Sequence, residues 1–304
     1  MNDVFMLFSI CIATYRRPLL LKNLLESLKK QILDENFKLQ IIIVDNDLNC
    51  SAKNIIDEFA NNNILNIEYY KQHEKNISLT RNLALEYARG DYILFIDDDE
   101  FADKLWIKNI YAATIAFNAD GAFGKVVPIY EEGISNWIKE SKLFDRNCSR
   151  TGQIANAHRT GNCIVKRKLF EKGKYSFDYR YGLTGGEDSY LFHKMTVDGA
   201  KFIDACEAIV YEPIEKTRTS LKFIVKKHIR TGNAFSRRVI EFSDNTLVKR
   251  SVIGFTSLIV IILSIFISFF TIFQPAYSLR WFAKANSNLG HILGALGIAY
   301  KGYK

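Results

Sequence analysis

From residue 5 to about 127, short apolar runs alternate with stretches of helical periodicity. This alternation limits the chain to α/β architectures, because it is the signature of βαβ units and a mainly parallel sheet. The runs expected as strands are 5–13, 39–44, 67–70, 92–96 and 122–127. Helices lie between them. Pro18 opens one with Leu21, Leu24, Leu25 and Leu28 on a single face, proline being favoured in a first turn. Ser51 is expected to cap a second helix, and Ser78 a third that ends near Gly90. Residues 128–186 are less patterned, with a strand expected at 163–165 and a glycine-containing loop at 182–186. A helix at 187–197 and two short strands, around 202 and at 209–211, complete this part.

Hydrophobic residues at 48%, charged residues at 24% and only 4 prolines exclude a disordered or low-complexity chain. The 5 cysteines (Cys11, Cys50, Cys148, Cys163, Cys206) are scattered and show no CxxC spacing. Neither a disulfide framework nor a zinc finger is expected, and a reducing compartment is inferred.

The net charge of +8 has one origin. Between Lys216 and Arg250 ten basic residues face two acidic ones, so this segment alone carries 10 − 2 = +8 and the rest of the chain is neutral. Its apolar positions Leu221, Phe223, Ile224, Val225, Ile229 and Phe235 form a stripe, the pattern of a basic amphipathic helix on a membrane surface. Directly after it, residues 252–273 carry no charge over 22 positions. At about 1.5 Å per residue such a helix is about 33 Å long, enough for a hydrocarbon core of about 30 Å. Basic residues beside such a run belong on the cytoplasmic side. A buried core helix is the alternative. Residues 289–300 are too short to cross and are expected as an interfacial helix. The apolar stretch 4–13 lacks a basic leader and a small-residue cleavage site, and is read as a strand.

The sharpest chemical feature is YILFIDDDE at 92–100, where an apolar strand delivers Asp97, Asp98 and Asp99 to its end. Adjacent carboxylates repel one another unless a cation or a donor-rich ligand offsets them. Oxygen ligands of this kind suit Mg²⁺ or Mn²⁺, which take substrate phosphates as further ligands. A solvated acidic turn is the plain alternative. A second carboxylate pair, Glu187-Asp188, follows Gly185-Gly186 at an expected helix start, where an anion is stabilised; a simple capping pair has the same signature.

ATYRRP at 13–18, IIIVDND at 41–47, ISLTRNLALEYARGDYILFIDDDE at 77–100 and GGEDSYLFHKM at 185–195 occur in the order found in family-two glycosyltransferases. Over roughly residues 5–240 the chain resembles the bacterial exopolysaccharide branch of that family, similar to succinoglycan-type glucosyltransferases. The resemblance implies an α/β GT-A nucleotide-sugar-binding fold with a mainly parallel central sheet, followed by the amphipathic helix and one transmembrane helix. The expected division is 1–215 for the GT-A domain, 216–250 for the basic surface helix, 251–274 for the transmembrane helix and 275–304 for a short interfacial segment.

The resemblance also implies roles. Thr14, Tyr15 and Arg17 line the nucleotide pocket. Asp45 bonds the uracil imide N–H, with capping of the next turn as its alternative. Arg81 faces the uracil or the phosphates. Asp97 and Asp99 form the DxD pair, Asp99 as metal ligand and Asp97 or Asp98 toward ribose and metal. In the Glu187-Asp188 pair the aspartate is the general base. Glu212 lies where many relatives place a metal-binding histidine, so a glutamate substitutes or that ligand is missing. Arg230 closes over the diphosphate or contacts lipid headgroups. Trp106 stacks on an acceptor sugar or packs in the core.

The implied activity is inverting transfer from a UDP-sugar, glucose or galactose first, with Mg²⁺ or Mn²⁺. The implied acceptor is a lipid-linked saccharide or polysaccharide, at the cytoplasmic face of the inner membrane and in contact with membrane lipids. A non-catalytic nucleotide-sugar-binding scaffold is the alternative; a nucleotidyltransferase ranks last, for want of a glycine-rich phosphate loop after the first strand. The basic block sits beside the apolar run and away from the carboxylates, so no nucleic-acid partner is expected.

Overall fold

The computed structural model describes residues 5–61, 65–146, 148–156 and 158–301. They fall into two compact units. The first holds the described residues up to Pro128 together with Arg146–Gly182 and Glu187–Pro213; the second holds Ile129–Asp145, Leu183–Gly186 and the described residues from Ile214 on.

Among the described residues eight strands form one sheet: β1 (Met6–Thr14), β2 (Phe37–Asp45), β3 (Ile67–Lys71), β4 (Tyr92–Phe95), β5 (Phe101–Ala102), β6 (Gly121–Tyr130), β7 (Cys163–Lys166) and β8 (Phe202–Ile214). Their order is β3-β2-β1-β4-β7-β6-β8-β5. The first four are parallel, whereas β7 runs antiparallel to β4, and β6 to β7. The parallel half matches the alternating pattern of residues 5–96; the antiparallel half is where that pattern fades.

β1 is covered on both faces, which is why its sequence is almost continuously apolar. Alternation sends Phe8, Ile10 and Ile12 to one side, against Leu21, Leu24 and Leu25 of α1 (Pro18–Lys29) and Trp106 and Ile110 of α4 (Trp106–Ala116). Cys11 faces the other layer, with Ala84 of α3 (Ile77–Tyr87) and Leu191, Phe192 and Met195 of α6 (Glu187–Val197). α2 (Lys53–Asn61) follows β2.

Several local expectations change. The cap of α3 is Asn76 rather than Ser78: its side chain accepts from the Ser78 and Leu79 N–H groups, so Ser78 lies inside the helix. The two short strands expected near 202 and 209 are one strand, β8, because the interrupting Asp204 is itself buried and accepts the Ser149 N–H. Cys148 and Cys206, expected as free thiols, are bonded across a separation of 58 residues.

The second unit contains α5 (Asn136–Glu140), α7 (Leu221–Glu241), α8 (Thr246–Phe270) and α9 (Pro275–Ala295). The structure replaces the short interfacial segment expected at 289–300 with the longer α9, which packs against both α7 and α8. Small residues on α7 and α9 make this possible. A Cβ at Gly232 would meet the Ser287 carbonyl at 1.9 Å, and one at Gly290 the Ile229 carbonyl at 2.1 Å. On α7, Ile224, Gly232, Ser236 and Ile240 are buried. Of the stripe expected to lie on a membrane, Ile224 is buried, Phe223, Val225 and Ile229 are half-buried, and Leu221 and Phe235 are exposed.

Candidate active site

β1 and β4 are neighbouring parallel strands, and β1 also pairs with β2 on its other side. Their carboxyl ends open the crevice where ligands gather in sheets of this kind. Thr14 ends β1, and its Oγ1 donates to Asp98 Oδ2 at 2.8 Å. The Arg17 guanidinium reaches both Asp98 (3.0 Å) and Asp99 (3.1 Å) from the first turn beyond β1. Between them Arg16 adopts φ +55° and pairs with Asp47 at 3.2 Å. A non-glycine residue in that region is a strained turn of the sort found at functional sites. Tyr15 is half-buried, with the Lys75 ammonium 4.4 Å from its ring centroid.

Burial shapes the triple aspartate unequally. Asp98 is almost inaccessible, and that burial pushes its carboxyl up to about 6 against the pull of Arg17. The side chains of Asp97 and Asp99 are 35% and 17% exposed. Asp98 thus anchors the turn, and its neighbours face outward.

Arg81 joins the two carboxylate motifs. Its side chain is 10% exposed, and it donates to Glu187 and, at 3.1 Å, to Asp97. The DDDE turn and the start of α6, about ninety positions apart in sequence, meet across one guanidinium. Burial pushes Glu187 up to about 7, although Arg81 opposes this. Asp188 is half-buried; its Oδ1 accepts the Ser189 N–H at 2.6 Å and its Oδ2 the Thr160 N–H at 3.3 Å. The preceding Gly185 and Gly186 have φ of +77° and +92°, a path that favours glycine.

Other expected residues find different surroundings. Asp45 is fully buried, and its oxygens accept the N–H groups of Asp47 (2.9 Å) and Ala52 (3.0 Å) and the Tyr69 hydroxyl (3.1 Å). These are the bonds of the capping alternative. Trp106 is also fully buried and donates to Asn162 Oδ1 at 2.7 Å, so it packs in the core rather than against a sugar. Arg230 lies on α7 in the second unit and is half-buried.

Glu212 pairs with Arg146 at 2.8 Å. The same guanidinium lies 3.5 Å from Glu100, whose side chain is fully buried. Burial disfavours the charge on Arg146, but Glu212 and Glu100 more than offset it and hold the group above its ordinary value. Burial drives Glu100 well above the usual carboxylate range. Glu100 ends the DDDE motif, whereas Arg146 and the half-buried Arg159 carry no motif that would single them out. Among the described residues no three His, Cys, Asp or Glu side chains are grouped to hold a metal ion. The donor set fits a cation bound by Asp97 and Asp99 with phosphate oxygens completing its shell. Each of the three carboxylates expected to bind metal is paired with a guanidinium here, Asp97 with Arg81, Asp99 with Arg17 and Glu212 with Arg146.

The sequence model described as Glycosyl transferase family 2 matches residues 9–174, more than half of the chain. The chain belongs to glycosyl transferase family 2. It is 28% identical over 233 residues to the succinoglycan biosynthesis protein ExoM of Rhizobium meliloti (strain 1021), covering 76% of this chain and 75% of that protein. The structure of S. aureus TarS 1–349 in complex with UDP-GlcNAc superposes with a TM-score of 0.56 at 18% identity, over 97% of this chain and 93% of that one. The mannosyltransferase PcManGT from Pyrobaculum calidifontis, in complex with GDP-Man and Mn²⁺, gives 0.59 at 15% identity, over 97% and 76%. These likenesses establish the GT-A fold. The family match makes the chain a glycosyltransferase.

Proposed function

We propose that the protein transfers a hexose from a UDP-sugar, glucose or galactose first, with inversion at the anomeric carbon. The acceptor is a lipid-linked saccharide or growing polysaccharide at the cytoplasmic face of the inner membrane. The observation that carries this reading is Arg81, which brings Asp97 of the DDDE turn together with Glu187, the neighbour of Asp188.

In this reading Thr14 and Arg17 hold the Asp98 turn, and Tyr15 lines the nucleotide pocket. Asp45 shapes the turn at the end of β2 beneath it. Asp97 and Asp99 hold Mg²⁺ or Mn²⁺, which when bound supplies positive charge to the diphosphate leaving group. Asp188 accepts the proton of the acceptor hydroxyl as its oxygen attacks the anomeric carbon. The Thr160 and Ser189 N–H groups orient that carboxylate. A single displacement with one base inverts the configuration. Membrane attachment through α8 raises the effective concentration of a lipid-linked acceptor.

Calorimetric titration of the detergent-purified chain with UDP, with and without Mn²⁺, tests the donor assignment; a panel of UDP-sugars then follows. Metal-dependent binding with one sugar preferred is the expected result. Folded protein that binds no UDP under any of these conditions refutes UDP-sugar transfer, and UDP-sugar binding with no transfer to any envelope fraction favours the scaffold alternative.

A further inference from the structure

α8 is inside out by the standard of a water-soluble helix. Its buried side chains are Ser257 and Ser264, and Ser268 exchanges hydrogen bonds of 3.0 and 2.8 Å with Ser278 of α9. Its other face presents Phe255, Leu258, Ile262, Ile265, Phe266 and Phe269, all at least half exposed. Polar toward protein and apolar outward is the arrangement for a hydrocarbon surrounding. The core-helix alternative fails on this burial pattern, and by length and composition α8 is able to cross a membrane.

Its neighbours argue against that disposition. Ser268 lies against Ser278, and Arg250 donates to the Ala295 carbonyl at 2.9 Å, so α9 runs antiparallel to α8 along its length. Ile224 packs with Leu279 and Ala283, Gly232 lies on Ser287, and Gly294 on Ser236, so α7 runs parallel to α9 over the same span. A bilayer crossed by α8 along its axis is then crossed by all three helices. That places the exposed Lys284 of α9 and Lys226 of α7, with the half-buried Arg230, level with the middle of α8. Even permissive insertion scales assign about 2.5–3.5 kcal/mol to each such charge at the centre of a helix in the bilayer. The irregular chain after α5 also sits at this depth, since the Lys227 ammonium lies 4.4 Å from the Phe144 ring centroid. Lipid-exposed irregular backbone does not occur in the hydrocarbon region.

We propose that α8 lies in the plane of the membrane, with its outward face sunk into one leaflet of anionic lipid. Charge fits this partner. From Asn245 to the last residue there is no Asp or Glu, while Lys249, Arg250, Arg280, Lys284 and Lys301 are basic. An apolar helix face flanked by cations is what an anionic interface retains. Exposed Tyr277, at the start of α9, suits the headgroup level. The proposal rests on the membrane attachment proposed above and specifies its geometry: attachment from one side, with both ends of α8 on the cytoplasmic side.

The test uses the full chain in inverted and right-side-out vesicles from expressing cells. Asp244→Cys and Gln274→Cys, at exposed positions just outside the two ends of α8, are treated separately with a membrane-impermeant maleimide, and the mass added over the parent chain is read. Both are expected to react in inverted vesicles and neither in right-side-out ones. Reaction of the two in opposite vesicle orientations overturns the in-plane disposition and leaves attachment intact. A parent chain absent from the membrane fraction overturns attachment itself, and UDP binding reports on glycosyl transfer independently of either. As a second measurement, Ile262→Glu combined with Phe266→Glu is expected to weaken binding to phosphatidylglycerol-containing vesicles at least tenfold with UDP binding unchanged. Undiminished vesicle binding overturns the assignment of this face.

Discussion

The two units bury polar groups in opposite ways. In the sheet unit four of the inaccessible carboxylates, Asp98, Glu100, Glu187 and Glu212, are each set against a guanidinium, from Arg17, Arg146 or Arg81, whereas Asp45 is held by N–H and hydroxyl donors. Along α8 the buried polar groups are serine hydroxyls, and the large apolar side chains face outward. Buried charge that must be matched residue by residue costs stability, so it persists where a ligand makes use of the field. Buried hydroxyls beneath an apolar exterior suit the proposed lipid surroundings. In the proposed reading one unit serves chemistry and the other attachment.

The largest expected effect separates chemistry from binding inside the first unit. Asp188→Asn keeps the shape of the α6 start and removes the base, so transfer is expected to fall by about 10²–10⁴. UDP affinity, measured calorimetrically, should stay within about twofold. Transfer at the parent rate would assign the base elsewhere.

Charge matching is broken most directly at Arg146. Arg146→Ala leaves Glu100 and Glu212 buried without their cation, a change expected to cost about 3–5 kcal/mol in denaturant unfolding. Lys284→Ala in the helical unit removes a cation 4.6 Å from the Trp281 ring centroid and should cost about 1 kcal/mol or less. Equal losses at the two positions would erase the contrast between the units.

Glu187 sharpens the same contrast through pH. Its folded-state value near 7 lies above the ordinary 4.5, so the folded chain holds this proton more tightly than the unfolded chain. Its contribution to stability therefore declines as pH rises from about 4.5 to 7 and is flat above, a change on the order of 3 kcal/mol. Glu187→Gln should flatten that part of the stability curve. A slope that persists in the variant would mean that another group carries it.

Legibility in the sequence followed the range of the interactions. α6 begins and ends where its pattern predicts, and the parallel strands fall within a few residues of their apolar runs, because period and capping are local. The DDDE turn and the Glu187-Asp188 pair were readable as motifs, yet nothing local shows that one arginine on α3 joins them. Glu212 was placed near the site by resemblance, but its partner is 66 positions away in a stretch without periodicity. The Cys148–Cys206 bond was hidden for the same reason. α9 was misjudged because it is packed on two sides by small residues, so no single apolar stripe marks it.

The smallest effect probes the serine layer of the helical unit. The half-buried Ser268 shares two hydrogen bonds with Ser278, whereas the fully buried Ser264 hydroxyl has no partner among the described residues. Ser268→Ala should therefore cost about 1 kcal/mol, the net worth of a neutral hydrogen bond together with the group it leaves behind. Ser264→Ala removes an unsatisfied buried hydroxyl and should be neutral or stabilising by up to about 1 kcal/mol. Thermal unfolding of both variants, in detergent and on anionic vesicles, gives the comparison. If the two serines respond alike, the layer acts only through size, and close approach of α8 to α9 rather than hydrogen bonding holds the hairpin together.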